Sequence, residues 1–310
     1  MAIVPDHFDY YAAIDWSGAV GPVQRGIAVA ICARDGGAPQ LIARAGGWSR
    51  TAVLHWLRDE MPDATLVGLD LGLSLPFADR GTFFPGWDES PADARALWAL
   101  VDRISADDPH LAASTFVDHP QASRHFRRHG GREGDQYGGG RGRLRLSEIE
   151  QRLQGLNPYS NLNLVGAAQV GKSSLTGMRV MHQLAGKLPI WPFDPAPAQG
   201  SLIVEIYTSL AAIAAGRPKG RTKMASIEAL NTALEAIGSA PVAGDGEAPP
   251  ASGDDAVGEL MAGDALDAFV LAVRAEREEV ALGDGRDRRA VAVDAHASRV
   301  RRGEPLQRVV

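Results

Sequence analysis

The stretch that decides the fold is Tyr10-Tyr11-Ala12-Ala13-Ile14-Asp15, a strand-forming apolar run that ends on an acid. Two later runs have the same form: Leu66-Val67-Gly68-Leu69-Asp70 and Leu202-Ile203-Val204-Glu205. A carboxylate at the end of a buried strand is costly unless a positive group meets it there. Converging acids also raise one another's pKa unless a cation neutralises them. Because Mg²⁺ and Mn²⁺ suit an all-oxygen cluster, these acids indicate a divalent-metal site.

A fourth acid belongs to the same pattern. Asp267 lies in the helical stretch from Gly263 to Ala272, and Asp264 precedes it by three residues on the same predicted helix face. Asp264 also has the position of an ordinary helix N-cap, so a purely structural role stays open.

The order of elements around these runs predicts a mixed sheet. Strand-prone stretches at about 10–16, 24–33 and 39–45 are joined by short Gly/Pro-rich turns, which fits an antiparallel meander. Ser49 is a predicted N-cap for a helix at about 50–60, and a fourth strand follows at about 65–70. A strand–helix–strand unit of this kind predicts a right-handed crossover with the fourth strand parallel in the same sheet. The next strand is expected at about 201–207.

A different pattern lies between these parts. Helical stretches near 90–105, 147–155 and 173–186 alternate with loops rich in Gly, Pro and Arg. We therefore expect a single domain over residues 8–310, with an α/β core at 8–77 and 200–280 and a largely helical insertion at 78–199. Residues 239–255 read as an exposed linker, with a helix before it at about 224–237 and a long helix after it from about 264 to 279. A short strand is expected at about 289–293.

The composition limits the classes of protein to which the chain can belong. The 310 residues carry a net charge of −6, which excludes a globally basic nucleic-acid binder and leaves only local basic surfaces. The single cysteine, Cys32, excludes an internal disulfide framework, and the amino-terminal residues lack the features of a signal peptide. No apolar run approaches the length of a membrane span. We expect a cytoplasmic protein without a membrane partner.

The predicted elements follow in the order three strands, a helix, a strand, an insertion, a strand and a helix, with acids in the first strand, the fourth strand and the last helix. This order resembles that of the ribonuclease H-like superfamily. The chain more closely resembles an uncharacterised family usually labelled predicted RNase H-like nucleases. The matching segments are Ala13-Ile14-Asp15-Trp16-Ser17-Gly18, Val67 through Pro76, Val204-Glu205-Ile206-Tyr207 and Asp264-Ala265-Leu266-Asp267-Ala268. The stretch from Glu205 to Lys223 also looks like its counterpart in Holliday-junction resolvases, although Thr208 stands where the family usually has proline.

The resemblance implies an RNase H-like fold and a nuclease that hydrolyses nucleic-acid phosphodiesters with two Mg²⁺ or Mn²⁺ ions. It implies catalytic roles for Asp15, Asp70 and Asp267, with Glu205 in support. The metal ligands would be Asp15, Asp70, Asp267 and Asp264. From the residues alone, Asp15 could instead cap the tight turn that follows it, and Glu205 could pair with a nearby basic residue such as Arg217.

A competing motif lies inside the predicted insertion. Residues 166–173, Gly-Ala-Ala-Gln-Val-Gly-Lys-Ser, fit the P-loop pattern without mismatch. In that interpretation Gly166, Gly171, Lys172 and Ser173 would bind a nucleoside triphosphate, with Asn161 to Val165 as the preceding strand. The alternatives are a glycine-turned loop before a helix, or a Lys172 that contacts substrate phosphate in a nuclease.

An arginine-rich segment supplies the expected nucleic-acid surface. Residues 121–145 contain seven arginines against two acidic residues, with Phe126 and Tyr137 interleaved and a Gly138-Gly139-Gly140 run. This composition suits a mobile arm that contacts phosphates and stacks on unpaired bases, and equally a solvated, disordered loop. The predicted substrate-binding residues are Arg124, Arg127, Arg128, Arg141, Arg143, Lys172, Arg221 and Lys223.

Three functions are therefore in competition. The first is a metal-dependent nuclease, the second a nucleotide-triphosphate-binding enzyme, and the third a non-catalytic nucleic-acid-binding protein of the same fold. DNA or RNA would be the partner in the first and third.

Overall fold

The structure is a computed structural model, and it describes residues 7–34, 38–165, 170–219 and 226–242. The chain divides into two compact units. Of the described residues, the first contains those up to Leu71 and those from Gly186 to Val242, and the second contains those from Gly72 to Ala185. The inserted part therefore begins and ends earlier than the 78–199 expected. The helix from Asp264, the strand at 289–293 and most of the 239–255 linker lie outside the described residues.

The first unit is built on a five-stranded mixed sheet, which confirms the α/β prediction. The strands in chain order are β1 (Tyr10–Asp15), β2 (Ala28–Ala33), β3 (Gln40–Leu41), β4 (Thr65–Asp70), β5 (Arg127–Arg128), β6 (Arg132–Glu133) and β7 (Leu202–Glu205). The sheet has the order β3-β2-β1-β4-β7, in which β2 is antiparallel to both β1 and β3, and β4 is parallel to both β1 and β7. β5 and β6 form a separate two-stranded hairpin in the second unit.

The helices follow the sequence pattern closely. They are α1 (Arg50–His55), α2 (Ala94–Ile104), α3 (Ser114–Asp118), α4 (Leu146–Leu153), α5 (Val170–Gln183), α6 (Thr208–Ala214) and α7 (Ile227–Ala236). Ser49 caps α1 as predicted, because its hydroxyl accepts a hydrogen bond of 3.0 Å from the amide of Ala52. A π-helical turn, Trp56–Glu60, completes that segment. Within the described ranges, no helix is long and apolar enough to cross a membrane.

One face of the five-stranded sheet carries the hydrophobic core of the first unit. Alternate residues of the strands point to it, including Tyr11 and Ala13 of β1, Leu66 of β4, and Leu202 and Val204 of β7. The apolar residues of α6 and α7 cover this face. Asp15 and Asp70 are the next residues in the β1 and β4 rows, so the core face ends on two acids.

The second unit is centred on the packing of α2 against α5. Arg179 of α5, only 3% exposed, donates from Nε to Asp102 of α2 at 2.8 Å, and Gln183 donates to the same carboxylate at 3.0 Å. The ring of His125, in the 3₁₀ segment Ala122–His125, packs edge-on against Phe84, which belongs to an aromatic cluster with Phe116 and Phe126. The arginine-rich segment is built into this unit, since its Tyr137 is 1% exposed.

Candidate functional site

The centre of the candidate site is the pair Asp15 and Asp70. They are directly opposite each other in the parallel register of β1 and β4, at the carboxyl end of both strands. Neighbouring strands lie about 4.8 Å apart, and residues opposite each other point to the same face. Both acids are only partly exposed. The sheet therefore brings two of the predicted metal ligands together on one side.

This pair lies at the point where the strand order of the sheet reverses. From the end of β1 the chain turns to β2 on one side, whereas β7 lies on the other side of β4. In open α/β sheets, ligands bind outside the carboxyl ends of the strands at such a switch point, because the diverging connections leave a crevice there. Asp15 and Asp70 are the last residues of the two strands at this point of the sheet.

Glu205 also lies at this end of the sheet, but on the opposite face. It is opposite Leu69, the residue before Asp70, so strand alternation puts Glu205 on the face that Asp15 and Asp70 do not occupy. Ile206 is the β7 residue that returns to the acid face, where its side chain lies over Gly68. A supporting role for Glu205 would therefore require it to reach around the end of the strand.

The other predicted ligands, Asp264 and Asp267, lie outside the described residues. Within the parts of the chain that the structure does describe, no group of three or more His, Cys, Asp or Glu side chains is arranged to hold a metal ion. Two carboxylates are thus the donor set that the first unit provides. Their oxygen chemistry and partial exposure fit a hard divalent cation that retains several waters.

The loop after β1 is held by a buried arginine that sequence reasoning missed. Arg50 is 1% exposed; its Nε donates to the carbonyl of Ser17 at 3.3 Å and its Nη2 donates to that of Ala19. The backbone amide of Arg50 donates to Oε1 of Gln24, itself fully buried, at 3.0 Å. These bonds fix the chain that leaves Asp15. The sequence signal was weak, because an arginine at the start of an amphipathic helix normally faces solvent.

The P-loop interpretation meets a different local structure. The strand expected at Asn161 to Val165 is wrong, since these residues form a turn with a single bridge from Asn163 to Arg127. The Gly171 amide donates to the Asn163 carbonyl at 3.2 Å, and a Cβ at Gly171 would lie 2.3 Å from the Asn161 carbonyl oxygen. Gly171 therefore lies within α5 and allows close packing, a role that neither the P-loop interpretation nor the alternative of a glycine-turned loop before the helix assigned to it. Lys172 and Ser173 lie in the first turn of α5, and Gly166 lies outside the described residues.

Two arginines of the arginine-rich segment have structural roles in the second unit. Arg143 is 8% exposed and donates to both oxygens of Asp79, at 2.8 and 2.7 Å, and to the carbonyls of Phe83, Pro76 and Thr82. Its guanidinium is fully engaged, which corrects the expectation that it binds substrate. Arg145 is likewise buried and bonded to Glu148.

Two further arginines of this segment pair with acids at the surface. Arg124 forms two hydrogen bonds with Asp135, at 3.0 and 2.6 Å, and Arg128 pairs with Asp118 at 3.0 Å. The bonds from Arg124 are the main reason why the pKa of Asp135 is well below its usual range, and they raise the pKa of Arg124. Such exposed pairs can open for a phosphate at modest cost.

The two aromatic residues that were predicted to stack on bases are buried. Phe126 and Tyr137, expected as stacking partners for bases, are 0% and 1% exposed, so they belong to the core. Tyr159, which follows the segment, is 44% exposed and lies under the guanidinium of Arg141, with Cζ 5.2 Å from the ring centroid. Arg127 is exposed in the β5–β6 hairpin. Arg221 and Lys223 lie outside the described residues.

No protein-family model matches the chain, and searches of curated proteins and of solved structures return no match.

Proposed function

We propose that this protein is a metal-dependent nuclease with an RNase H-like fold, in which Asp15 and Asp70 hold a divalent cation. The observation that carries the proposal is the in-register pairing of these two acids at the carboxyl ends of neighbouring parallel strands. Two carboxylates at this spacing favour a shared positive partner. The five-stranded mixed sheet, with an antiparallel meander followed by parallel strands, is consistent with the RNase H-like fold that the resemblance implies.

The proposed chemistry divides between the cation and the chain. Bound Mg²⁺ or Mn²⁺ would activate water and stabilise the charge that develops on a phosphodiester during in-line displacement. The chain's part is to hold two partly exposed carboxylates at the carboxyl ends of two neighbouring strands.

Asp267 would complete the ligand set, as the resemblance implies. Glu205 stays a lesser candidate because of its register. The arginines that remain available for phosphate are Arg124, Arg127, Arg128 and Arg141, all in the second unit. A nuclease needs such cations because its substrate is a polyanion.

The test is hydrolysis of end-labelled DNA and RNA oligonucleotides in the presence of Mg²⁺, Mn²⁺ or EDTA. We expect cleavage that EDTA abolishes, and a loss on the order of 100-fold or more for both D15N and D70N, since even outer-sphere partners of a metal contribute 10- to 100-fold. The matched control is D9N, because Asp9 is exposed at the opposite end of β1. Wild-type activity in D15N and D70N would refute the assignment, as would the absence of cleavage with every substrate and metal.

A further inference from the structure

Tyr159 forms an exposed platform on the second unit. Its ring carries the guanidinium of Arg141, and Nη1 of Arg141 is held by the carbonyls of Asn157 and Pro158 at 3.5 and 3.3 Å. The guanidinium lies over one face of the ring, and Tyr159 as a whole is 44% exposed. An exposed aromatic face with a fixed positive charge behind it is the arrangement on which a nucleobase stacks well.

Backbone hydrogen bonds connect this platform to the basic hairpin. Leu162, three residues after Tyr159, accepts from the amide of Arg127 at 3.0 Å, and Leu164 donates to the Arg127 carbonyl at 2.9 Å. Three residues of extended chain span at most about 11 Å, so the backbone of Tyr159 lies within about that distance of Leu162, which is hydrogen-bonded to β5. Arg127 and Arg132 are both exposed in the hairpin, with Glu133 as the acid opposite Arg127.

We propose that this surface, with Tyr159 on Arg141 beside the β5–β6 hairpin, binds unpaired nucleotides, so that the protein engages single-stranded nucleic acid. The choice of polymer rests on the proposed function. Stacking on Tyr159 requires a base that is free of its partner strand, whereas phosphate contacts by Arg127 and Arg132 are possible with either form. The platform therefore selects single strands, and the hairpin adds affinity that falls with salt.

The experiment is fluorescence anisotropy of a labelled oligonucleotide, single-stranded or annealed to its complement, with EDTA present so that no hydrolysis occurs. We expect tighter binding of the single strand, and a loss of about 5- to 100-fold for Y159A on the single strand only, because stacking contributes about 1–3 kcal/mol per base. Y159F should retain the wild-type affinity, since it keeps the ring. R132Q should weaken single-strand and duplex binding alike and reduce the salt dependence.

The matched control is L153A, because Leu153 is 77% exposed in the same unit and carries no charge. Equal affinity of the wild type for single strand and duplex would overturn the inference, and so would an unchanged affinity of Y159A. Competition by an acidic polypeptide as effective as that by the oligonucleotide would also overturn it, because it would show charge attraction alone.

The failure of this inference can be told from the failure of the nuclease proposal. Binding that depends on Tyr159, without cleavage by any metal, would leave the inference standing and remove the nuclease. Cleavage that depends on Asp15, with Y159A unchanged in affinity and KM, would do the reverse.

Discussion

Asp15 and Asp70 are paired across two parallel strands, each as the last residue of its strand. The core rows that precede them are apolar, so the pair marks the point where the buried face of the sheet meets solvent. Two side chains on a rigid sheet edge lose little entropy when a ligand binds them, which is why this arrangement suits a preorganised site.

Metal binding should stabilise the folded protein through this pair. We expect the melting temperature of the wild type to rise with Mn²⁺, because a ligand that binds only the folded state contributes about 2.7 kcal/mol at a hundred times its Kd. D15N and D70N should each lose the rise, and D9N should keep it. Thermal denaturation with and without Mn²⁺ measures the effect, and an equal rise in all four proteins would place the metal elsewhere.

Glu205→Gln tests the register of β7. Because Glu205 is opposite Leu69 and on the other face from the acid pair, we expect cleavage to fall by less than about tenfold, or 1.4 kcal/mol of transition-state stabilisation. Initial rates for E205Q and D70N under one metal concentration decide the point. A loss as large as that of D70N would mean that Glu205 reaches the site around the strand end.

Gly68 should tolerate no side chain while Ile206 lies over it. A Cβ at Gly68 would be 2.7 Å from Cδ1 and 2.8 Å from Cγ2 of Ile206, so G68A should lower the free energy of unfolding by about 1–3 kcal/mol. Urea denaturation measures the change. Adding I206A should recover part of the loss in a double-mutant cycle, and strictly additive effects would contradict the predicted clash.

Arg143→Gln should be among the most destabilising changes in the second unit. Removing the guanidinium leaves Asp79 and three buried carbonyls without their donor, at a cost of about 3–5 kcal/mol. R132Q, at an exposed arginine of the same segment, should change the free energy of unfolding by less than about 0.5 kcal/mol. Similar effects of the two substitutions on the free energy of unfolding would contradict the buried structural role of Arg143.

Protonation of His125 should destabilise the second unit in acid. The pKa of His125 is lowered to about 4, mainly by burial and to a smaller extent by the positive charges of Arg143 and Arg124, which outweigh the opposing effect of the Asp135 carboxylate. The unfolded chain takes up a proton below its ordinary pKa of about 6.5, so stability is lost as the pH falls from about 6.5 towards 4, by up to about 3 kcal/mol.

Urea denaturation at a series of pH values measures this slope. H125F should flatten it, because phenylalanine suits the ring cluster around Phe84 and has no proton to bind. H129Q is the matched control at an exposed histidine of the same segment and should leave the slope unchanged.

Much of the fold was predictable because its signals are local. The cap at Ser49, the short turns between β1, β2 and β3, and the apolar runs that end on acids each follow from a few neighbouring residues. The roles of the arginines were not predictable in this way. Arg143 is buried and bonded to the distant Asp79, whereas Arg127 is exposed in the hairpin, and composition carries no information about such differences.

The same division holds for the candidate site. The acids at the strand ends were predictable from the sequence alone, and so were the meander and crossover that make β1 and β4 neighbours. Only the tertiary structure decided that Asp15 and Asp70 share a face while Glu205 takes the other, because a shift of one residue in strand register reverses every side chain. It also buried Phe126 and Tyr137 and left Tyr159 exposed, since burial depends on what packs against a residue and not on its type.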